Sequence, residues 1–391
     1  MFENLLEQDT VKNRLVHDVK TQSLPSSILF FGPAYSGKMT AALELARTLT
    51  CANKEASWNC NCRSCRDHRV MNHPYTLLTG GRYFYEEIAA SADVFLKNDN
   101  QVSRYMFVRN VRKLLKRFDT VLWEGETAKL KKCQAQLTSI TDNIELFLPG
   151  EELPSEKKTE KLISSLLADC KKLALAVPGS TPINQIRRIS TWAHRAGEKK
   201  VVILENADHM QEGARNALLK ILEEPPSNLH FILVTTRFGA ILPTIKSRVR
   251  AYGFSRRNRD QSQMVLKRIF KQEESSFQSL REFFLSHHDL NYSQLREQAE
   301  FFISSVQKKN VLFHDVIPGS FGKDMFMPFL EELSIQLNLL LKESLQKGIN
   351  TQITGNLSKW NNKIRNYSMN FEVLNQSHNL LLESLYYEMK G

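Results

Sequence analysis

The chain has 391 residues, a formal net charge of +11 and a pI near 9.3, with 42% hydrophobic and 24% charged residues. That length predicts two or three domains, and no apolar run approaches the ~18–20 residues of a membrane helix. Six cysteines in a chain of this size do not make a secreted disulfide framework. The first residues, MFENLLEQDTVKNRL, lack the apolar centre of a signal peptide, so a cytoplasmic location is expected. The positive balance points to polyanionic partners, most simply nucleic acid.

Residues 1–25 read as a helix that Asp9 or Thr10 can cap, with Val11, Leu15 and Val19 at helical spacing. Leu24-Pro25 ends it. A strand over Ile28–Phe31 then runs into a Gly-bounded loop and a helix from about Lys38. Gly32, Gly37 and Lys38 fit the phosphate-loop pattern G-x-x-x-x-G-K, whose backbone N–H groups and helix N-terminus favour a phosphate. The pattern next requires Ser or Thr for Mg²⁺. Met39 stands there, and a thioether is a poor ligand for a hard cation. Residues 40–50 continue the helix, with Leu43, Ala46 and Leu49 on one face.

Cys51, Cys60, Cys62 and Cys65 follow, spaced C-x8-C-x-C-x2-C. Four thiolates so spaced suit a structural Zn²⁺ that closes a loop with little core of its own. A catalytic zinc is disfavoured because no coordination position stays open. Cys133 and Cys170 stand far off and read as ordinary half-buried thiols.

Residues 91–178 are helix-rich and charged. From Gln101 to Lys132 there are nine Lys/Arg against three Asp/Glu. Phe107, Val111, Leu114, Leu115 and Phe118 form an apolar stripe flanked by Arg109, Arg112, Lys113, Lys116 and Arg117. A second helix is expected over Ser155–Leu175, and the breaks at Leu148-Pro149-Gly150 and Leu153-Pro154 suggest an antiparallel hairpin. The basic stripe reads equally as a DNA-contacting face or as a solvated one.

An α/β rhythm then returns. Thr181–Ala193 reads as a helix, Lys200–Glu205 as a buried strand, Ala214–Leu222 as a helix, and His230–Thr235 as a second buried strand. This alternation implies a three-layer nucleotide-binding fold with a parallel sheet. After about Phe254 only helices are expected, among them Gln261–Lys271 and Met325–Leu345. An ATPase of this type also needs acids at a strand end, one for the Mg²⁺ shell and one to polarise water. Here KVVIL ends in Glu205-Asn206-Ala207-Asp208. Asn206 cannot take a proton, and Asp208 reads as a cap or turn residue. Met39 and Asn206 thus remove two parts of one reaction.

These residues carry a family resemblance. FENLLEQ, FFGPAYSGK, the four-cysteine module, NHPYTLL, INQIRRI, KVVILENADHM, ARNALLKILEEPP, FILVTTR and LPTIKSRV stand in the order found in bacterial DNA polymerase III clamp-loader subunits. His73-Pro74 and the degraded motifs resemble the delta-prime type more than the ATP-hydrolysing gamma/tau type. The resemblance implies an AAA+ domain over 1–254 with a zinc module at 51–65 and a helical insertion at about 91–178. It further implies a helical lid at 255–312 and an all-α collar at 313–391 that joins a five-membered ring. Gly32, Gly37, Lys38, Thr40, Glu205 and Thr235 would be the nucleotide-binding positions, with Thr236 beside Thr235. Whether ATP binds is left open, and Mg²⁺ in the usual geometry is not expected. Arg248, in Ser247-Arg248-Val249, would be an arginine finger reaching a neighbouring subunit's ATP site. The implied partners are gamma/tau and delta subunits, the sliding clamp and primed DNA. DNA contact finds support in nine Lys/Arg against one acid from Lys246 to Lys271.

The leading functional expectation is a non-hydrolysing delta-prime-like subunit. The alternatives are an active gamma/tau-like ATPase, with Glu205 and Asp208 replacing the lost acids, or a zinc-stabilised DNA-binding AAA+ module. The sequence departs from the family at Glu7, where Gly is usual, and in two cysteines that are one residue closer. The C-terminal third has little matching sequence, and nothing in the family accounts for the insertion.

Overall fold

The computed structural model describes all residues except 54, 82–84, 273–276, 288–291, 309, 319–320, 323–324, 347–350, 375 and 391, and only the backbone at 127, 292–293, 351–354, 369–370 and 372–374. The chain divides into two units, 1–287 and 288–391, each with its own hydrophobic core.

The first unit is built on five parallel strands, β1 (Ser27–Phe31), β2 (Thr76–Thr79), β3 (Lys200–Glu205), β4 (Leu229–Thr235) and β5 (Arg250–Gly253), in the order β2-β3-β4-β1-β5. Successive strand residues point to opposite faces, and both faces are covered. Leu29, Leu77, Val202, Leu204, Phe231 and Leu233 join one core cluster. Their neighbours Ile28, Phe30, Leu78, Val201, Ile203, Ile232 and Val234 join another, with Val11 and Leu15 of the helix Asp9–Lys20 and Leu43, Leu45 and Ala46 of the helix Lys38–Thr50. This is the expected three-layer α/β arrangement. β2 and β5 had no expectation behind them, because four residues are too few to show a period.

The first helix is entered through Gln8 rather than capped by Asp9 or Thr10. The Gln8 amide instead bonds the backbone of Ser255 in both directions, Nε2 to O at 2.9 Å and N to Oε1 at 3.1 Å. The N-terminus is thereby knitted to the chain leaving β5.

The insertion is more than a hairpin. Its main helices are Tyr85–Lys97, Gln101–Leu115, Gln134–Glu145 and Glu156–Ala174, with short helices at Thr120–Trp123 and Thr127–Lys132. Phe95, Phe107, Ile140 and Ile163 lie in the same cluster as Leu77, Val202 and Phe231 of the sheet, together with residues of the helices Ile183–Ala193 and Glu212–Glu223. The inserted residues therefore complete the main core. After β5, the helices Arg259–Phe270 and Leu280–Leu285 bury Val265, Leu266, Phe283 and Phe284 against Ala90 and Val94 of the helix Tyr85–Lys97.

The second unit is helical among its described residues: Tyr292–Val306, Phe313–Val316, Phe326–Gln346, Thr351–Leu374 and His378–Lys390 around Phe302, Phe329, Leu333 and Tyr386. No helix among the described residues is long and apolar enough to cross a membrane.

Candidate functional site

The C-terminal ends of β1, β3 and β4 lie level: Phe31 pairs with Thr235, and Glu205 with Val234. In a parallel α/β sheet this edge is where ligands bind. The phosphate loop leaves β1 here. Gly32, at φ +147, has the Phe254 carbonyl oxygen 2.4 Å from where a Cβ would be, so the close approach requires glycine. Gly37, at φ +93, is the N-cap of the helix Lys38–Thr50. Lys38 is buried, and its Nζ donates to the carbonyls of Gly32 (2.7 Å) and Pro33 (2.5 Å). Thr40 is half-buried two residues further on. Met39 is half-buried and packs against the core cluster of this sheet face. Two residues outside the motif also hold the loop. Arg257 donates to the carbonyls of Tyr35 and Leu6, and the Tyr35 ring stacks on Phe284 at 5.3 Å.

The acids at this edge are all engaged. Glu205 Oε2 accepts from Arg117 Nη2 at 2.5 Å in a site where the two side chains are 5% and 2% exposed. Asn206, held at φ +50, turns its amide onto the Gly81 carbonyl. Asp208 accepts from Thr235 Oγ1 at 2.6 Å and Arg237 Nε at 2.7 Å, with His209 Nε2 at 3.2 Å. Burial would push its carboxyl up, but His209, Thr235 and Arg237 outweigh this and hold it well below the ordinary value. Thr235 is thus committed to Asp208, while Thr236 is exposed.

The four cysteines converge. Their sulfurs all lie within 4.8 Å of one another, with Cys51 to Cys60 at 3.7 Å and Cys51 to Cys62 at 3.9 Å. Four sulfurs ~2.3 Å from a tetrahedral centre would stand about 3.8 Å apart, so the set fits a metal of zinc's kind. The close C-x-C pair does not keep any cysteine out. Cys51 sits at the C-cap of the helix Lys38–Thr50, and Cys62 is the N-cap of the helix Arg63–Arg69, which carries Cys65. Donors point at the sulfurs: Asn53 N reaches Cys51 at 3.3 Å, Asn53 Nδ2 reaches Cys60 at 3.2 Å, and Arg47 Nη1 reaches Cys65 at 3.7 Å, contacts that suit metal-bound thiolates. Arg47 also pairs with Glu44 at 2.7 Å inside the phosphate-loop helix, so one buried guanidinium joins the two motifs.

The basic stripe of the insertion is neither solvated nor aimed at DNA. Arg109 Nη1 donates to the carbonyls of His68 (3.0 Å) and Arg69 (3.3 Å), Arg112 to Val70 (2.9 Å), and Lys116 to His73 (2.9 Å). The carbonyls of residues 68–70 close the C-terminus of the cysteine-bearing helix, where cations are favoured. Lys113 pairs with Glu87 at 2.6 Å.

The model of the family described as "DNA polymerase III, delta subunit" matches residues 7–258. The chain belongs to this family. A delta' subunit from Buchnera aphidicola subsp. Baizongia pistaciae is 30% identical over 158 residues, 39% of this chain and 44% of that protein. A gamma/tau subunit of Mycobacterium tuberculosis is 33% identical over 118 residues, 27% of this chain and 20% of that protein. A solved DNA polymerase III gamma-subunit-related protein from Thermotoga maritima covers 54% of this chain and 79% of its own, at 22% identity and a TM-score of 0.32. The chain thus spans less than half the length of the curated relatives described.

The first unit of this DNA polymerase III family member is an AAA+ α/β domain, followed by a helical region. Within it, Arg248 lies on the surface away from the phosphate loop's residues in sequence and contacts. Its Nη2 donates to Glu223 at 2.6 Å and its Nη1 to the Thr244 carbonyl at 2.8 Å, with the two side chains of the ion pair 33% and 49% exposed. Arg117, Arg257 and Arg237 are the engaged residues that motif reading missed. Arg257 was visible only as one charge in a basic run, and nothing in the spacing of Arg117 ties it to Glu205.

Proposed function

We propose that this chain is a non-hydrolysing, delta-prime-like AAA+ subunit of the DNA polymerase III clamp loader. It assembles with gamma/tau and delta subunits, helps place the sliding clamp on primed DNA, and offers Arg248 to a neighbour's ATP site. The observation that carries this reading is the state of the strand ends: Glu205 is in a buried ion pair, Asn206 holds a backbone carbonyl, Asp208 is saturated with donors, and Met39 faces the core. An active ATPase would need Asp208 to replace the lost base, and its engagement argues against that. Arg248 suits the finger role because its present partner is an exposed carboxylate. Such pairs are worth about 0–1 kcal/mol and exchange readily for a phosphate.

In this reading the four cysteines hold a structural Zn²⁺ that supplies cross-linking alone. Gly32, Gly37, Lys38, Thr40, Glu205 and Thr235 are the remains of the nucleotide cradle. Residues 255–287 of the first unit act as lid, and the helical second unit, 288–391, as the collar for assembly in the cytoplasm.

The test is ATP turnover. The purified chain is expected to show none, with or without primed DNA. In a complex reconstituted with its ATP-hydrolysing partners, Arg248→Ala is expected to leave assembly intact and slow turnover severalfold or more, since fingers are worth ~10³–10⁵ at a single site. Unchanged turnover removes the finger role, and Lys38-dependent hydrolysis by the isolated chain removes the non-hydrolysing reading.

A further inference from the structure

The helical insertion carries a cation to the acid that stands where the Mg²⁺ shell is held in ATP-hydrolysing relatives. Arg117 lies in the turn Lys116–Phe118 that follows the helix Gln101–Leu115. Its guanidinium meets Glu205, the last residue of β3, which is level with Val234 on β4; the next residue on β4, Thr235, is level with Phe31 at the start of the phosphate loop. The turn is fastened on both sides. Lys116 holds the His73 carbonyl at 2.9 Å, Trp123 Nε1 donates to the Arg117 carbonyl at 2.8 Å, and the Phe118 and Trp123 rings stack at 5.5 Å. About one and two helix turns upstream, Arg112 and Arg109 hold the carbonyls of Val70, Arg69 and His68.

We propose that the insertion is a built-in occluder of the nucleotide site: Arg117 stands on Glu205 in the place of a divalent cation and keeps magnesium nucleotide out. The inference rests on reading these strand ends as a nucleotide site. A guanidinium stays charged at every working pH and binds carboxylate through a rigid fork. In a dry site, a divalent cation cannot share the same carboxylate with it, because like charges at that range repel strongly. The insertion's docking on the carbonyls of residues 68–73 fixes the backbone from which Arg117 reaches, so its side chain is positioned without help from any ligand. Met39 and Arg117 then remove the two protein contributions to the metal independently, one by substitution and the other by occupation.

The decisive experiment restores the hydroxyl first. The probe is Mg·ATP, titrated into the zinc-loaded full chain and repeated with ATP in EDTA. Met39→Thr alone is expected to gain no magnesium-dependent affinity. Met39→Thr with Arg117→Gln is expected to bind Mg·ATP at least tenfold more tightly than Met39→Thr. That gain should vanish in EDTA, on adding Glu205→Gln, and when Arg117→Lys replaces Arg117→Gln. The proposal is overturned if Met39→Thr alone gains tenfold with magnesium, if the double variant gains nothing, or if its gain persists without Glu205. Should the double variant fail to fold, Met39→Thr decides: magnesium-dependent binding overturns the occluder, and its absence upholds it. These readings come from the isolated chain, so they stand or fall separately from the Arg248 test on the assembled complex.

Discussion

Glu7 adopts φ +55, the left-handed region that glycine enters without cost. A side chain there costs ~1–2 kcal/mol, partly offset because glycine loses more backbone entropy on folding. Glu7→Gly is therefore expected to stabilise the chain by about 0.5–1 kcal/mol in urea unfolding; a loss would mean that attraction between Glu7 and the half-buried Arg257 outweighs the strain. Asp208 gives a second residue-scale test. Its carboxyl is held low in the folded state, so its contribution is present above the unfolded value of about 3.9 and is lost as pH falls toward the folded one. Asp208→Asn should cost about 2–3 kcal/mol near neutral pH, the worth of bonds to a charged group. The gap between variant and parent should narrow below about pH 4. A gap that widens in acid would show that the carboxylate is not the stabilised form.

At the scale of elements, the zinc proposed for the cysteine module makes that module's stability a test of metal and insertion together. Structural zinc is worth ~10–16 kcal/mol in small peptides, and ~1 kcal/mol moves the melting point by ~2–4 °C in domains somewhat smaller than this unit. Chelation is expected to lower the first unit's melting temperature by at least about 10 °C, measured by calorimetry before and after zinc removal. Arg109→Met with Arg112→Met strips the cations from the module's helix terminus and should speed chelator-driven zinc release severalfold. Deleting 91–178 removes Phe95, Phe107, Ile140 and Ile163 from the cluster that covers Leu77, Val202 and Phe231. That deletion is expected to yield insoluble protein, not a trimmed subunit. Strands β1, β3 and β4, the loop and the four converging cysteines were legible because each has a local signature: buried apolar runs, glycines at fixed spacing, thiols at ligand spacing. The roles of Arg109, Arg112 and Arg117 were not legible. A cation that caps a carbonyl 41 residues away has the same local pattern as one that faces water. The segment 255–287 reads as helical either way, and it is the tertiary packing of Val265 and Phe283 in one cluster with Val94, with the ties of Arg257 and Phe284 to the loop, that assigns it to the first unit.

At the scale of the whole molecule, division into 1–287 and 288–391 makes a claim about folding. The first unit has a doubly covered sheet and the additional cluster formed by the helices Arg259–Phe270 and Leu280–Leu285. The second has Phe302, Phe329, Leu330, Leu333, Leu337 and Tyr386 buried in its own helical core, with the Tyr386 hydroxyl donating to the Val311 carbonyl at 2.9 Å. At 287 residues the first unit is large enough to bury a stable core alone. At about a hundred residues the second is near the common size of an independent domain. Residues 1–287 expressed alone, with zinc, are therefore expected to melt cooperatively within about 3 °C of the corresponding transition in the full chain. Cutting at 254 instead removes Val265, Leu266, Phe283 and Phe284 from Ala90 and Val94, and frees Tyr35 from Phe284 beside the phosphate loop. That shorter piece should melt lower, since each large apolar side chain lost from a core costs ~2–5 kcal/mol. Equal melting of the two pieces would show that residues 255–287 add nothing to the first unit's stability. A lower melting point for the 1–254 piece alone would place the cooperative boundary beyond the end of the AAA+ sheet.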